Sequence, residues 1–471
     1  MTKNAHFIGL CGAGMSAVAR LMQQQGDRVT GSDAGFYPPI SDYITKLGLT
    51  CEVGYAPSNI PQNVDVIVIG KHAKLTPEEN EEVAAAFTHH RDKIRSFPEI
   101  LSALTDARDR VVIAGSYGKS SLTSLVTWCL EQAGKNPGWF IGAVPKNLEY
   151  SSSLGGDGPF VFEGDEYPSA NWDDRAKFLH YHPSTVILTS ATHDHINIYP
   201  TLDDFHAPFH ALLTQTAQSK GMLIACADEP HAAQFFETYD GPKISYGITS
   251  PADYRATDIT LGHPTRFTLQ AKGKLYPGFT TSQLGQHNVE NICGAAAYLL
   301  GQNLLTLEEF QKGVATFEGL TRRLDRKAPK SELPIFEGFG SSYEKARAAM
   351  KAILAHFPER RLVVMFEPHT FTWRNKDALD QYETAFEGAE KLWIFEPPVH
   401  GKGSHNQASL DEIYAKIRQH HDGVHTFTAE DYQDVLSQSD PQRDVLLILS
   451  SGSFGGTLQP LLDEAEKRFS R

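Results

Sequence analysis

The sequence predicts an α/β protein of three domains: an N-terminal Rossmann-like domain, a central P-loop ATPase-like domain with a parallel or mixed sheet, and a C-terminal Rossmann-like domain. Three observations predict it. Short apolar runs alternate with amphipathic helical patterns along most of the chain. Two of those runs end in glycine turns that open helices, Gly12-Ala13-Gly14 and Gly115-Ser116-Tyr117-Gly118. The chain, at 471 residues, is also too long for one ordinary core. A linker helix at 101–109 and a polar, proline-containing stretch after Leu324 set the boundaries, giving 1–106, 107–324 and 325–471.

The first segment opens with a strand at 6–10. Gly12-Ala13-Gly14-Met15-Ser16-Ala17 follows, a G-x-G-x-x-A turn of the dinucleotide type, then a helix to about residue 25. A second strand at 28–30 ends in Gly31-Ser32-Asp33. An acidic residue about 20 positions past such glycines commonly meets a ribose hydroxyl. Taken alone, the turn suggests NAD. Another strand, 64–70, leads to Lys71-His72-Ala73, and Ser96-Phe97-Pro98-Glu99 closes the segment at a strand end and helix start.

The second segment opens with a phosphate cradle. The strand at 111–114 runs into the Gly115–Gly118 turn, and Lys119, Ser120 and Ser121 begin a helix. Glycines admit close backbone N–H approach, the helix N-terminus favours anions, lysine adds a point charge, and the next hydroxyl suits Mg²⁺. The spacing departs from G-x-x-x-x-G-K-[ST], because Ile113 stands at the first glycine position. A strand at 160–162 ends in Glu163-Gly164-Asp165-Glu166, and one at 185–189 leads to Asp194-His195. Strand-end carboxylates near a P-loop suit Mg²⁺. Lys119/Ser120, Glu163 and His195 therefore converge at one sheet edge.

A strand at 222–225 and short β segments over 243–278 follow, then a helix to residue 300 carrying Asn288 and Asn291 on one face. Their amides suit a base edge, with helix capping by Asn288 as the alternative. The third segment alternates again: strands at 334–339, 361–366, 391–395 and 444–450, and helices at 343–356 and on to 386. The last strand meets Ser450-Ser451-Gly452-Ser453-Phe454-Gly455-Gly456, which reads as a second phosphate or carboxylate nest or as a flexible terminal turn.

Bulk properties narrow the class. Hydrophobic residues make up 41% and charged residues 21%, as in soluble globular proteins. No apolar run has membrane-spanning length, and the N-terminus enters a strand directly, so a cytoplasmic protein without a membrane partner is expected. Five scattered cysteines, with no C-x-x-C, argue against disulfides or zinc. A net charge of −14 argues against nucleic acid as a partner. Oligomeric state is not legible.

Together these stretches resemble the Mur ligases, ATP-dependent enzymes that add amino acids or peptides to UDP-N-acetylmuramate. Gly9-Leu10-Cys11-Gly12-Ala13-Gly14-Met15-Ser16 and Gly31-Ser32-Asp33 are similar to the opening of the alanine-adding and tripeptide-adding members. The 114–121 loop resembles their G-T-H-G-K-T-T, Glu163-Gly164-Asp165-Glu166 their E-x-D-E, and Asp194-His195 their D-H. Gly285, His287, Asn288 and Asn291 resemble the adenine-side motif, and Phe317-x-Gly319 with Arg322-Arg323 the entry to the third domain. Asp174-Arg175-x-Lys177-Phe178, His180-Tyr181, Pro183, Glu367-Pro368-His369 and the 450–456 turn favour the branch that adds L-alanyl-γ-D-glutamyl-meso-diaminopimelate in cell-wall recycling.

The resemblance implies ATP and Mg²⁺ as cofactors and an acyl phosphate intermediate. It implies an ATP site of Gly115, Ser116, Gly118, Lys119, Ser120, Ser121, His287, Asn288, Asn291 and Arg322. Lys119, Glu163 and His195 would be catalytic, with Ser120 on a first Mg²⁺ and Glu163 with His195 on a second. Gly12, Ala13, Gly14, Met15, Ser32, Asp33, His72, Arg175 and Lys177 would hold the UDP-sugar. Departures are Tyr117 for the loop histidine, Ser120 and Ser121 for threonines, Thr192 for an acid, and Gly338-Phe339-Gly340-Ser341-Ser342-Tyr343 where D-[FY]-A-H-[HS]-P is usual. Two competing readings follow: a ligase for L-alanine or another amine, and a non-catalytic nucleotide-binding relative. Retention of Lys119, Glu163, Asp165, Glu166 and His195 opposes the second. The NAD reading falls because a P-loop follows in the next domain.

Overall fold

A computed structural model describes residues 2–36, 40–196, 198–395 and 407–470. They form two compact units. The first comprises residues 1–257, 268–279 and 289–317, and the second 258–267, 280–288 and 318–471. The α/β class holds, with two large sheets and the small pair Pro168–Ala170 and Asp173–Ala176 in the first unit, and a third large sheet in the second.

The N-terminal sheet is all parallel, in the order Thr50–Val53, Arg28–Asp33, Asn4–Ile8, Val66–Ile69, Ile94–Arg95. Val66–Ile69 is buried along its length, as a strand covered on both faces must be. The helix Ala13–Gln24 starts directly after Gly12 and buries Met15, Ala17, Val18, Leu21 and Met22. The expected linker helix is instead Phe97–Leu104. Ser96 and Glu99 form a capping box and Pro98 sits in the first turn, which fixes an earlier start.

In the central sheet the first unit contributes, in order, Lys243–Gly247, Met222–Cys226, Thr185–Leu188, Arg110–Ala114, Phe160–Gly164, Gly138–Phe140 and Ser152–Ser153. All neighbours run parallel except the last pair. Ala114 lies opposite both Leu188 and Gly164. These three strands therefore end at one level, and the turns after them share one edge. The 152–154 segment clasps the Ala13–Gln24 helix: Ser152 Oγ donates to Ala17 O (3.0 Å) and Leu154 N to Gln24 Oε1 (3.0 Å).

The third sheet runs Arg323–Lys327, Ile335–Gly338, Asp444–Leu449, Arg361–Phe366, Ala389–Phe395, Val424–Phe427, parallel after the first pair. Tyr343–His356 is a helix with Ser342 as its N-cap. The helix expected to reach residue 386 is broken into Phe371–Arg374 and a 3₁₀ stretch, Lys376–Glu383. Asn375 accepts from Asp377 N and restarts the chain, while the Tyr382 hydroxyl donates to Trp373 O (2.6 Å) and folds the stretch back.

His356, at the end of its helix, is a buried tie within the second unit. Its Nε2 accepts from Gly285 N (2.7 Å), so Nδ1 carries the proton and donates to Gly262 O (2.8 Å). Burial lowers its pKa from 6.5. The unfolded chain therefore takes up the proton first. Stability is full above about pH 6.5 and is lost as pH falls through the depressed folded value. His356→Ala leaves Gly285 N–H unmet and should cost about 1–3 kcal/mol in urea unfolding at pH 8, with the wild-type advantage shrinking at pH 5.

Candidate active site

The cradle is built by sterics first. The Arg110–Ala114 strand is wholly buried and delivers the chain to Gly115, at φ +140°. A Cβ on Gly115 would lie 2.2 Å from Thr189 Oγ1 and 2.7 Å from Ser190 O. Gly118, at φ +84°, caps the Lys119–Gln132 helix. The neighbouring strand's exit holds the loop: Thr189 Oγ1 donates to Tyr117 O (2.6 Å), Tyr117 N to Ser190 Oγ (3.1 Å) and Ser116 Oγ to Thr192 O. The loop is thus shaped before any ligand is considered, with a helix N-terminus at its floor.

Carboxylates from the Phe160–Gly164 strand end face it. Ser120 Oγ donates to Glu163 Oε1 (2.7 Å), whose other oxygen accepts Gly142 N (2.7 Å). Lys119 Nζ binds both oxygens of Glu166, at 3.0 and 2.7 Å. His195 Nε2 meets Glu166 Oε1 at 3.0 Å and its Nδ1 meets the Tyr167 hydroxyl at 2.9 Å. Glu166 raises the His195 pKa, against the lowering effect of burial. Asp165 pairs with Lys177 Nζ at 2.5 Å; burial pushes its pKa up, yet Lys177 and Lys119 bring the net value down.

The expected convergence of Lys119, Ser120, Glu163 and His195 is present, but its centre is Glu166. The imidazole nitrogens go to Glu166 and Tyr167, and Glu163 goes to Ser120 and Gly142. Among the described residues no group of three or more His, Cys, Asp or Glu has metal-holding geometry. The Ser120 hydroxyl and Glu163 carboxylate, 2.7 Å apart, are a hard oxygen pair that fits Mg²⁺ completed by phosphate and water oxygens. Ser121 follows on the same helix, partly buried.

At the N-terminal glycine turn, Asp33 accepts Cys11 N (2.8 Å) and so fixes the turn itself. Gly14 needs to lack a side chain because a Cβ would lie 3.1 Å from the Phe97 ring. Gly12 is the helix N-cap, and Ala13 opens the helix. Two of the residues expected at the UDP-sugar turn their side chains into the protein. The Ser32 hydroxyl is fully buried and donates to Glu82 (2.8 Å), which also binds His6, Ala56 N and Asn59. Met15 is buried in the core, leaving only its backbone at the turn. His72 is exposed, and Asn171 Nδ2 holds its carbonyl at 2.8 Å. Arg175 is exposed in a two-bonded pair with Asp173 (2.9 and 2.7 Å).

On the Gln286–Leu299 helix, Asn291 is buried, with Oδ1 3.1 Å from where a Gly118 Cβ would stand. Asn291 thus packs beneath the cradle. Asn288, inside the first turn, donates Nδ2 to Leu284 O (2.8 Å), a back-bond to the preceding turn rather than an N-cap. His287 is exposed and stacks over Gly285, which sits at φ +92°.

In the second unit, Arg322 does not project freely. Its Nε meets Glu337 Oε1 (3.1 Å), and Nη1 and Nη2 donate to Ser451 O (3.2 Å) and Gly452 O (2.9 Å). The 450–456 turn is a carboxylate nest for the chain's own Glu367, whose Oε2 accepts Ser450 Oγ (2.5 Å) and Phe454 N (3.1 Å). The acid absent at residue 338 stands one position earlier as buried Glu337, which also binds Lys327 Nζ (2.8 Å). Trp373 Nε1 and Thr370 Oγ1 hold the carbonyls of Gly340 (2.7 Å) and Ser341 (2.8 Å). Sequence reading missed Arg374. It is 5% exposed, and its Nε and Nη1 are buried without a hydrogen-bond partner among the described residues. Buried donors without a partner are an uncommon and costly arrangement.

Two family profiles match the chain: "Mur ligase family, catalytic domain" over residues 4–108 and "Mur ligase middle domain" over 113–299. A UDP-N-acetylmuramate–L-alanine ligase of Chlorobium phaeovibrioides is 32% identical over 396 residues, 83% of this chain and 81% of the relative. The chain belongs to the Mur ligase family. As a member it is an enzyme, an ATP-dependent ligase that forms a C–N bond between an acid and an amine. A UDP-N-acetylmuramate–L-alanyl-γ-D-glutamyl-meso-2,6-diaminoheptandioate ligase of Haemophilus influenzae is 27% identical over 98% of this chain and 99% of its own. The fold is that of the UDP-N-acetylmuramate–alanine ligase of Thermotoga maritima (TM-score 0.78, 20% identity, 99% of this chain and 100% of that one). It is also that of a murein peptide ligase of Psychrobacter arcticus (TM-score 0.64, 24% identity, 98% of both chains). No described helix of this Mur ligase is long and apolar enough to cross a membrane.

Lys119→Ala removes the ammonium that follows the glycine cradle at the start of its helix. Substrate-dependent ATP turnover should fall by about 100-fold or more, measured as phosphate release, and the melting temperature should drop because buried Glu166 loses a partner.

Proposed function

We propose that this ligase joins the carboxylate of UDP-N-acetylmuramate to the amine of L-alanyl-γ-D-glutamyl-meso-diaminopimelate in the cytoplasm, in peptidoglycan recycling. The observation that carries the chemistry is the shared sheet edge at which Lys119 and Ser120 face Glu163, Glu166 and His195. The tripeptide is favoured by the Haemophilus relative, which matches end to end, and by the Asp174-Arg175-x-Lys177-Phe178 segment. In this reading the domains divide near residues 106 and 324. The N-terminal glycine turn, Asp33, His72, Arg175 and Lys177 take the UDP-sugar, and Asn288, Asn291 and His287 take adenine.

A carboxylate does not react with an amine directly, because its oxygen is a poor leaving group. ATP and Mg²⁺, when bound, supply the γ-phosphoryl that converts it to an acyl phosphate and the charge that steadies the transfer. Ser120 and Glu163 would hold the metal. Gly115, Ser116, Gly118 and Ser121 present backbone and hydroxyl donors to the phosphates, and Lys119 meets the charge that builds during transfer. The amine then attacks the acyl carbon and inorganic phosphate departs. In the second unit, Arg374 offers its unmet N–H donors to a carboxylate of the acceptor.

A second reading, L-alanine as acceptor, is favoured by the 32% identity to the Chlorobium enzyme and by the Thermotoga fold. Phosphate release with ATP, Mg²⁺ and UDP-N-acetylmuramate separates the two. The tripeptide should give a kcat/KM about ten-fold or more above L-alanine; the reverse order would establish the second reading. Arg374→Ala should raise the acceptor KM by about 10- to 100-fold and leave the KM for ATP unchanged. An unchanged acceptor KM removes Arg374 from the binding site.

A further inference from the structure

Beyond its strand, the chain turns through Asp165 and Glu166 before reaching Tyr167. Asp165 is neutralised by Lys177 at 2.5 Å. Glu166 is 0% exposed, and its side chain is set against two groups, Lys119 and His195. The Tyr199 hydroxyl bonds the Glu166 carbonyl (2.5 Å) and fixes the backbone beneath it, while Tyr167 holds the far side of the His195 ring. A buried carboxylate persists only when such partners meet its charge.

Lys119 has three N–H donors on a compact ammonium. The two oxygens of Glu166 approach that ammonium at 3.0 and 2.7 Å. The same ammonium is the point charge that the phosphates of a nucleotide require in a glycine cradle. Carboxylate and phosphate are both anions, so they repel each other while seeking one cation.

We propose that Glu166 competes with the nucleotide's phosphates for Lys119, and is thereby a positioning residue that weakens nucleotide affinity and speeds release of the product diphosphate. The inference rests on the ATP reading of the cradle. Lys119 swings between two anionic partners a short distance apart, and its charge is never left buried without one. The cost is some binding energy for ATP. The gain is a site that does not stay closed on ADP, which retains two of the three phosphates.

The test is calorimetric binding of ADP and ATP in EDTA, which needs no metal and no turnover, with wild type, Glu166→Gln, Lys119→Ala and the double variant. Glu166→Gln should bind both nucleotides about five- to ten-fold more tightly, and the gain should vanish when Lys119 is also alanine. In turnover, Glu166→Gln should lower the KM for ATP and kcat together, which a merely structural defect would not do. Equal or weaker binding by Glu166→Gln, or the same gain without Lys119, overturns the proposal. If Glu166→Gln melts too early to measure, Glu166→Asp, which shortens the reach and keeps the charge, should bind two- to three-fold more tightly by the same estimate of lost contact; unchanged affinity overturns it. Wild type that binds neither nucleotide overturns the ATP reading as well, whereas tight wild-type binding unaffected by Glu166 overturns this inference alone.

Discussion

The structure around the cradle depends on one buried carboxylate. Glu166 lies between Lys119 and His195, which together meet the charge of its buried carboxylate. Breaking a buried ion pair by removing one partner is typically worth about 3–5 kcal/mol, because a charge is left in a poor dielectric. The sheet exists to make this meeting possible. Parallel register places Ala114, Gly164 and Leu188 side by side, so the P-loop, the acidic turn and the histidine turn leave the sheet together. Strand-end chemistry of this kind is the general rule for open parallel sheets.

Much of this was legible because it rests on local signals. Buried strands read as apolar runs, and glycines with positive φ, such as Gly118, read as turns. Residue types at strand ends then implied a site, since successive parallel strands expose the same edge. What was not legible required knowing where a side chain points. Ser32 looked available beside Asp33, yet alternation along its strand turns its hydroxyl inward to Glu82. Arg322, expected at the phosphates, has its guanidinium held here by Glu337 and two carbonyls, partners no local motif announces. The 450–456 turn reads from sequence as an anion nest or a flexible terminal turn; it holds a carboxylate, that of Glu367, far away in sequence. Arg374 carries no motif; only its burial without partners marks it.

The departures from the family pattern also make sense as contacts. Tyr117 replaces the loop histidine and Thr192 replaces the acid before D-H; Tyr117 N donates to Ser190 Oγ (3.1 Å), and Thr192 O accepts Ser116 Oγ. Thr192 Oγ1 in turn donates to buried Glu229 (3.0 Å), whose carboxylate also holds Ala191 N and Ala232 N. A carboxylate is thus kept at this corner through a hydroxyl relay. At the third sheet, Glu337 offers an acid one residue before the expected position, and Ser342 spends its hydroxyl on the helix cap. The changed motif therefore leaves ordered, fully engaged backbone rather than a collapsed loop.

The central claim is that the edge carrying Lys119, Glu163, Glu166 and His195 transfers a phosphoryl group to a substrate carboxylate. The most direct measurement labels the carboxylate oxygens of UDP-N-acetylmuramate with ¹⁸O and follows the label by mass spectrometry during ligation. The expected result is one ¹⁸O in each inorganic phosphate released, because the acyl oxygen leaves with phosphorus. Unlabelled phosphate from a completed ligation would contradict the account.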